Sequence, residues 1–239
     1  MSLENRKVVV VGGSSGIGLA TAANLAAAGA HVIIASRSPE KLESARRSIP
    51  KPIETRALDT RGESAVSTFF NNLGCFDHLV ISASDAVFGA FLEVPIASVQ
   101  EFLDSKFWGA YRVARYAAPH LSKNGSITFF SGAASQRGTP GLAAGSAINA
   151  AIEALGRSLA VELAPIRVNT VAPGLIATPV WDTLMSPGQK DAFFKDASAK
   201  LPVRRIGTPE EIAHSVRYLI ENTYTTGTVL FPEGGYLQV

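Results

Sequence analysis

The 239-residue chain has a single cysteine, Cys75, so it can form no intrachain disulfide, and a reducing compartment is expected. It has no run of about 18 apolar residues, so no membrane-spanning helix is expected. The opening MSLENRK lacks the apolar stretch of a secretory signal, and a cytoplasmic setting is expected. Charge is not concentrated in either sign: 22 Lys and Arg against 20 Asp and Glu leave a net +2. The densest basic run, Arg46, Arg47 and Lys51, is accounted for by a solvated helix end. A nucleic-acid partner needs a concentrated basic face and is therefore not expected. The four histidines (His31, His78, His120 and His214) fall on separate elements, without ligand spacing to one another or to Cys75, so no metal site is expected. No low-complexity stretch divides the chain, and one domain over 1–239 is the reading.

What the chain has is apolar residues, 46% of the total, in short runs that alternate with helical periodicity. The run Val8-Val9-Val10-Val11 reads as a strand buried on both faces. Further strands are predicted at 31–35, 53–57, 78–81, 126–130, 167–171 and 228–231. Helices are predicted at 16–28, 39–48, 63–72, 96–121, 142–163 and 209–221. Ser38-Pro39 and Thr208-Pro209-Glu210-Glu211 mark two helix starts by N-cap and N1 proline. The alternation predicts an α/β fold: a doubly wound, mostly parallel, seven-stranded sheet with helices on both faces. The stretch 178–202 reads as the least regular and is expected to be a substrate-covering loop region.

Gly12-Gly13-Ser14-Ser15-Gly16-Ile17-Gly18 follows a predicted strand and opens a predicted helix, the context in which a glycine-rich turn binds the pyrophosphate of a dinucleotide. That makes the fold of the Rossmann type. The second strand ends at Ser36-Arg37-Ser38, where NAD-binding domains carry an acidic residue for the ribose hydroxyl. A guanidinium at Arg37 pairs instead with a 2′-phosphate, and Ser14, Ser36 and Ser38 add hydroxyl donors, so the expected cofactor is NADP(H).

From these motifs the chain resembles the short-chain dehydrogenase/reductase family over nearly its whole length. Val11 to Gly18 is similar to the family's TGxxxGIG, with Val11 in place of Thr. Asp59, followed by Thr60, matches the acidic residue that contacts adenine. Arg167 to Pro179, including Pro173, Gly174, Ile176 and Thr178, matches the segment after the sixth strand, in which the residues at Ile176 and Thr178 hold the nicotinamide carboxamide. The segments from Arg205 to Ala213 and from Thr226 to Gly235 match as well. The resemblance implies a homo-oligomer, a tetramer or dimer. It also implies a hydride exchange assisted by a Tyr, a Lys four residues later on the same helix face, a Ser and an Asn.

At those four positions the chain differs. Gly145 stands for the Tyr, Asn149 for the Lys, Gly132 for the Ser and Lys106 for the Asn. The Asn-Asn-Ala-Gly signature becomes Ile81-Ser82-Ala83-Ser84, keeping Ala83. Glycine can neither give nor take a proton, and general acid–base catalysis is worth about 10²–10⁴ in rate. Asn149 can still hydrogen-bond a ribose hydroxyl. The candidates for a substitute acid or base are Lys106, Ser131 and Ser146. Ser131 has no evident base, and Lys106 has the alternative of snorkelling to solvent or pairing with a carboxylate. Asp85, Phe88 and Trp181 fall in loops expected to line the cleft. Three functions stay open: an NADP(H)-dependent oxidoreductase on a small carbonyl or alcohol using a non-standard acid/base, an inactive NADP(H)-binding sensor or scaffold, and a non-redox enzyme reusing the pocket through Lys106.

Overall fold

The computed structural model describes residues 2–239. Seven strands form one sheet: β1 (Lys7–Val11), β2 (His31–Ser36), β3 (Glu54–Ala57), β4 (Phe76–Ile81), β5 (Leu121–Phe130), β6 (Arg167–Val171) and β7 (Val229–Leu230). Their order is β3-β2-β1-β4-β5-β6-β7, and every pairing is parallel. Chain direction across the sheet reverses between β1 and β4, so a crevice opens outside their carboxyl ends.

Helices cover both faces. α1 (Gly16–Ala27), α2 (Pro39–Ser48) and α9 (Pro209–Glu221) pack on one side. α3 (Glu63–Leu73), α5 (Gly109–Ala117) and α6 (Ala143–Glu162) pack on the other. The four valines of β1 show why the run is continuous. Val8 and Val10 join the core under α1 and α9, while Val9 and Val11 join the core that contains Phe70, Phe129 and Ile152. Alternate side chains of a strand point to opposite faces, so burial on both demands an unbroken apolar stretch. Both predicted proline-led helix starts form, with Ser38 accepting from the Lys41 N–H and Thr208 and Glu211 closing a capping box.

Three expectations are corrected. The single helix expected over 96–121 is instead α4 (Ile96–Leu103), a π-helical turn (Asp104–Trp108), α5 and a 3₁₀ turn (Ala118–His120). Pro119 lacks the N–H that an α-helix would use, which ends the run. β5 accordingly starts at Leu121, with a register shift between its pairings to Phe76 and His78. The stretch expected to be irregular, 178–202, contains α7 (Val180–Leu184) and α8 (Pro187–Lys200). α8 buries none of its residues, so it has no apolar stripe to betray it; its Ser186/Gln189 capping box is its visible start signal. β7 is only two residues long.

Candidate functional site

The crevice is built first from backbone. Gly12 has φ +90°, and a Cβ there would stand 2.4 Å from the Ala83 amide nitrogen. A Cβ on Gly18 would stand 2.2 Å from the Gly12 carbonyl oxygen. Only glycine lets β1, β4 and the first turn of α1 close up in this way. Gly16 has φ +51°, and the Thr178 side chain lies 3.6 Å from where its Cβ would be. Ser15 is the N-cap of α1 but makes no side-chain cap, so the N–H groups of the turn containing Gly16, Ile17 and Gly18 keep their capacity for an anion. A cavity of about 310 Å³ lies against Ser14 and Ser15, bounded by Lys41, Ser44, Pro179, Val180 and Thr183.

The strand ends bring the other predicted cofactor residues to the same edge of the sheet. Ser36 closes β2, and its hydroxyl is buried with no partner among the described residues, the condition of a polar group that a ligand completes. Ser38 caps α2 and donates to Glu40 at 2.7 Å. Asp59 follows β3 and accepts the Arg61 N–H at 3.0 Å. Thr60 is buried, and its carbonyl oxygen accepts from Arg112 at 3.4 Å. Arg37 pairs with Asp85 at 2.9 Å. Pro173 and Gly174 follow β6, where the Pro173 carbonyl accepts the Ala133 N–H at 2.8 Å. Ile176 is buried and bridges to Gly207, which fixes the path that carries Thr178 to the glycine turn. The free turn, the tight glycine contacts and the unpartnered Ser36 hydroxyl all fit a dinucleotide.

The far side of the crevice is made of side chains. Gly145 and Asn149 lie one helical turn apart on α6, with Glu153 a further turn along; all three are buried. A Cβ on Gly132 would stand 2.8 Å from the Asn149 amide nitrogen, so Asn149 fills the space that a side chain at 132 would need. The Asn149 side-chain Oδ1 is buried with no partner among the described residues. Among the described residues beyond its own helix backbone, a Cβ on Gly145 would meet only the Phe102 ring edge, at 4.0 Å.

Lys106 lies in the π-helical turn, and its ammonium donates to the Ser131 carbonyl oxygen at 3.4 Å, beside Gly132. The Phe102 ring centroid is 5.8 Å from it. It neither snorkels free nor pairs with a carboxylate: among the described residues no acid lies within ion-pair distance. Desolvation of the amine pushes its pKa down to about 8.

Ser131 has the partner that was not evident from sequence. Its hydroxyl donates to Glu153 at 2.8 Å, and Ser135 and Gln136 donate to the same carboxylate, Gln136 at 2.9 Å. That network ties the 131–136 segment to α6 and commits the Ser131 hydroxyl inward. Ser146 is rotated by about 100° from Gly145 and leaves the face that carries Asn149 and Glu153. Sequence reasoning missed Glu153, although its i+4 spacing from Asn149 placed it on the same face. It also missed the π turn under Lys106, for which the sequence carries no signal.

Trp181, expected in a loop, lies on α7. It is buried, donates to the Ile176 carbonyl oxygen at 2.8 Å, and packs on Phe88, Phe193 and Phe194. It therefore ties the segment after β4 to α7 and α8. His78 is buried against Ser126, and burial lowers its pKa to about 4, which makes it a neutral core residue.

A family model described as "Enoyl-(Acyl carrier protein) reductase" matches residues 11–237. The D-erythrulose reductase of Gallus gallus is 31% identical over 244 residues, covering 99% of this chain and 98% of that one. A solved small-chain dehydrogenase in complex with NADPH is 34% identical, covers 99% of this chain and 100% of its own, and superposes with a TM-score of 0.85. The MalC reductase/Diels-Alderase of Malbranchea aurantiaca is 27% identical over 99% of this chain and 98% of its own, with a TM-score of 0.91. The chain belongs to the short-chain dehydrogenase/reductase family.

Proposed function

We propose that the chain is an NADP(H)-dependent oxidoreductase acting on a small carbonyl or alcohol, with Lys106 handling the proton that a tyrosine handles elsewhere in the family. The observation that carries this reading is the desolvated amine of Lys106 beside Gly132, with a pKa near 8 and no carboxylate to hold it charged. An acid whose pKa lies close to neutrality is the more effective proton donor.

The free turn at the start of α1, the unpartnered Ser36 hydroxyl and the NADPH-bound relative support the following cradle. Gly12, Ser14, Ser15, Gly16, Ile17 and Gly18 take the pyrophosphate. Ser36, Arg37 and Ser38 take the adenosine ribose and its 2′-phosphate, and Asp59, Thr60 and Ala83 border the adenine side. Asn149 offers its unpartnered oxygen to a ribose hydroxyl, and Pro173, Gly174, Ile176 and Thr178 line the nicotinamide end. The nicotinamide supplies the hydride when bound. Lys106 holds a proton at Nζ and gives it to the substrate oxygen, and Gly145 presents no side chain to compete for that oxygen. Ser131 and Glu153 position the backbone carbonyl that orients Lys106.

A second reading is favoured by Gly132 and Gly145, neither of which has a side chain to act on a substrate: a catalytically silent NADP(H)-binding sensor or scaffold. The reductase/Diels-Alderase relative supports a third, in which the same pocket performs non-redox chemistry. Phe91, Leu92 and Ile96 are 79%, 93% and 78% exposed, and this apolar group supports assembly as a homo-oligomer.

Titration with NADPH and NADH, followed by turnover of aldehydes, ketones and quinones by wild type and Lys106→Met, tests the reading. We expect NADPH to bind more tightly than NADH. We also expect carbonyl turnover that Lys106→Met abolishes while NADPH affinity stays within about threefold. Turnover indifferent to Lys106→Met overturns the role of Lys106. Tight NADPH binding without turnover moves the conclusion to the sensor or scaffold.

A further inference from the structure

Three charged side chains from three successive strand ends meet on the adenosine side of the crevice. Arg37 follows β2, Arg61 follows β3 and Asp85 follows β4. Arg37 reaches one oxygen of the Asp85 carboxylate at 2.9 Å and Arg61 reaches the other at 2.5 Å. The Asp85 backbone is held in place, because its N–H donates to the buried Ser105 hydroxyl at 3.2 Å. Its carboxylate is therefore a negative charge held between two guanidiniums, at the end of the sheet where a cofactor ribose lies.

We propose that Arg61 joins Arg37 in holding the 2′-phosphate of the cofactor, and that Asp85 is the counter-ion which keeps the two arginines together until that phosphate displaces it. The proposal rests on the NADP(H) reading. Charge favours the exchange. Two guanidiniums facing one carboxylate leave a surplus positive charge, which a phosphate monoester carrying about −1.5 to −2 neutralises more fully. Exposure permits it. The side chains of Arg37, Asp85 and Arg61 are 52%, 37% and 38% exposed, and ion pairs in that setting are weak. Geometry converges on it, since both arginines already point at one shared anionic position. Asp85 then also sharpens specificity, because a cofactor without the phosphate does not neutralise the surplus charge.

The test measures binding of 2′,5′-ADP and 5′-ADP by calorimetry to wild type and to Arg37→Ala, Arg61→Ala, Asp85→Asn and Arg61→Ala/Asp85→Asn. Thermal melts of each variant check that it is folded. Arg61→Ala is expected to weaken 2′,5′-ADP roughly tenfold and 5′-ADP less than about twofold. Asp85→Asn is expected to tighten 2′,5′-ADP severalfold. In the Asp85→Asn background Arg61→Ala must still cost about tenfold, since a residue that merely restrained Asp85 would have nothing left to do there. Arg61→Lys, which keeps a charge but not the fork, should recover part of the loss. Equal losses for the two nucleotides, or a loss that vanishes in the Asp85→Asn background, overturn the proposal. If 2′,5′-ADP is preferred through Arg37 alone, the inference fails and the NADP(H) reading stands. If wild type binds the two nucleotides alike, the NADP(H) reading itself fails.

Discussion

The two sides of the crevice are made of different material. The dinucleotide side is backbone: Gly12 and Gly18 exist to let main chain approach main chain, and the free turn of α1 faces the space that results. The opposite side is side chains: Lys106, Asn149, Ser131 and Glu153 divide the polar work around two glycines. Backbone sites tolerate little change, because any Cβ collides. A side-chain site can be rewritten residue by residue while its helix and strand stay in place. α6 packs into the core through Ile148 and Ile152, while the same helix carries Gly145 and Asn149.

The backbone side is most sensitive at the turn. Gly18→Ala places a methyl group 2.2 Å from the Gly12 carbonyl oxygen and 2.5 Å from the Ser82 hydroxyl, so α1 must move away from β1. We expect a loss of about 1–3 kcal/mol of stability and a fall in NADPH affinity of roughly 100-fold, read by denaturant melts and fluorescence titration. An affinity within about threefold of wild type would show that the backbone side is less rigid than described.

The next effect is on the other side. The Lys106 pKa is about 8 in the folded protein against 10.5 for the free group. The unfolded chain therefore binds more protons between those values, and stability rises with pH across that window. Below about pH 8 the whole penalty is present. Lys106→Met removes it and should stabilise the protein by about 3 kcal/mol at pH 7, with the gain disappearing above about pH 10.5. Melts across pH measure this, and a gain that is independent of pH contradicts the desolvated amine.

Glu153 anchors the 131–136 segment to α6. Three side chains donate to the Glu153 carboxylate. Glu153→Gln should cost about 1–2 kcal/mol, because one acceptor oxygen becomes a donor facing donors. NADPH affinity should change by less than about threefold. A large loss of NADPH binding instead would place Glu153 in the cofactor cradle.

What sequence made legible follows the same division. The parallel sheet, the glycine turn and the proline-led helices depend on local rules about periodicity, caps and glycine, and each is visible in a short stretch of residues. The π turn at Asp104–Trp108 and the early start of β5 depend on tertiary packing and are not. α8 was missed because it packs no apolar stripe. Glu153 was one helical turn from a residue already singled out, but the need for a carboxylate there arises from Ser131, Ser135 and Gln136, which only the folded chain brings to it. The Arg37–Asp85–Arg61 meeting is likewise written across three strand ends that the fold alone aligns.

We propose that the Lys106 amine handles proton transfer beside the cofactor crevice. The most direct measurement is the pH dependence of kcat/KM for NADPH-driven reduction of a responsive carbonyl, in wild type and in Lys106→Met. Reduction through Lys106 needs it protonated, so activity is expected to be level below about pH 8, to fall above it, and to be absent in the variant. Activity that does not fall near pH 8, or that survives in Lys106→Met, would contradict it.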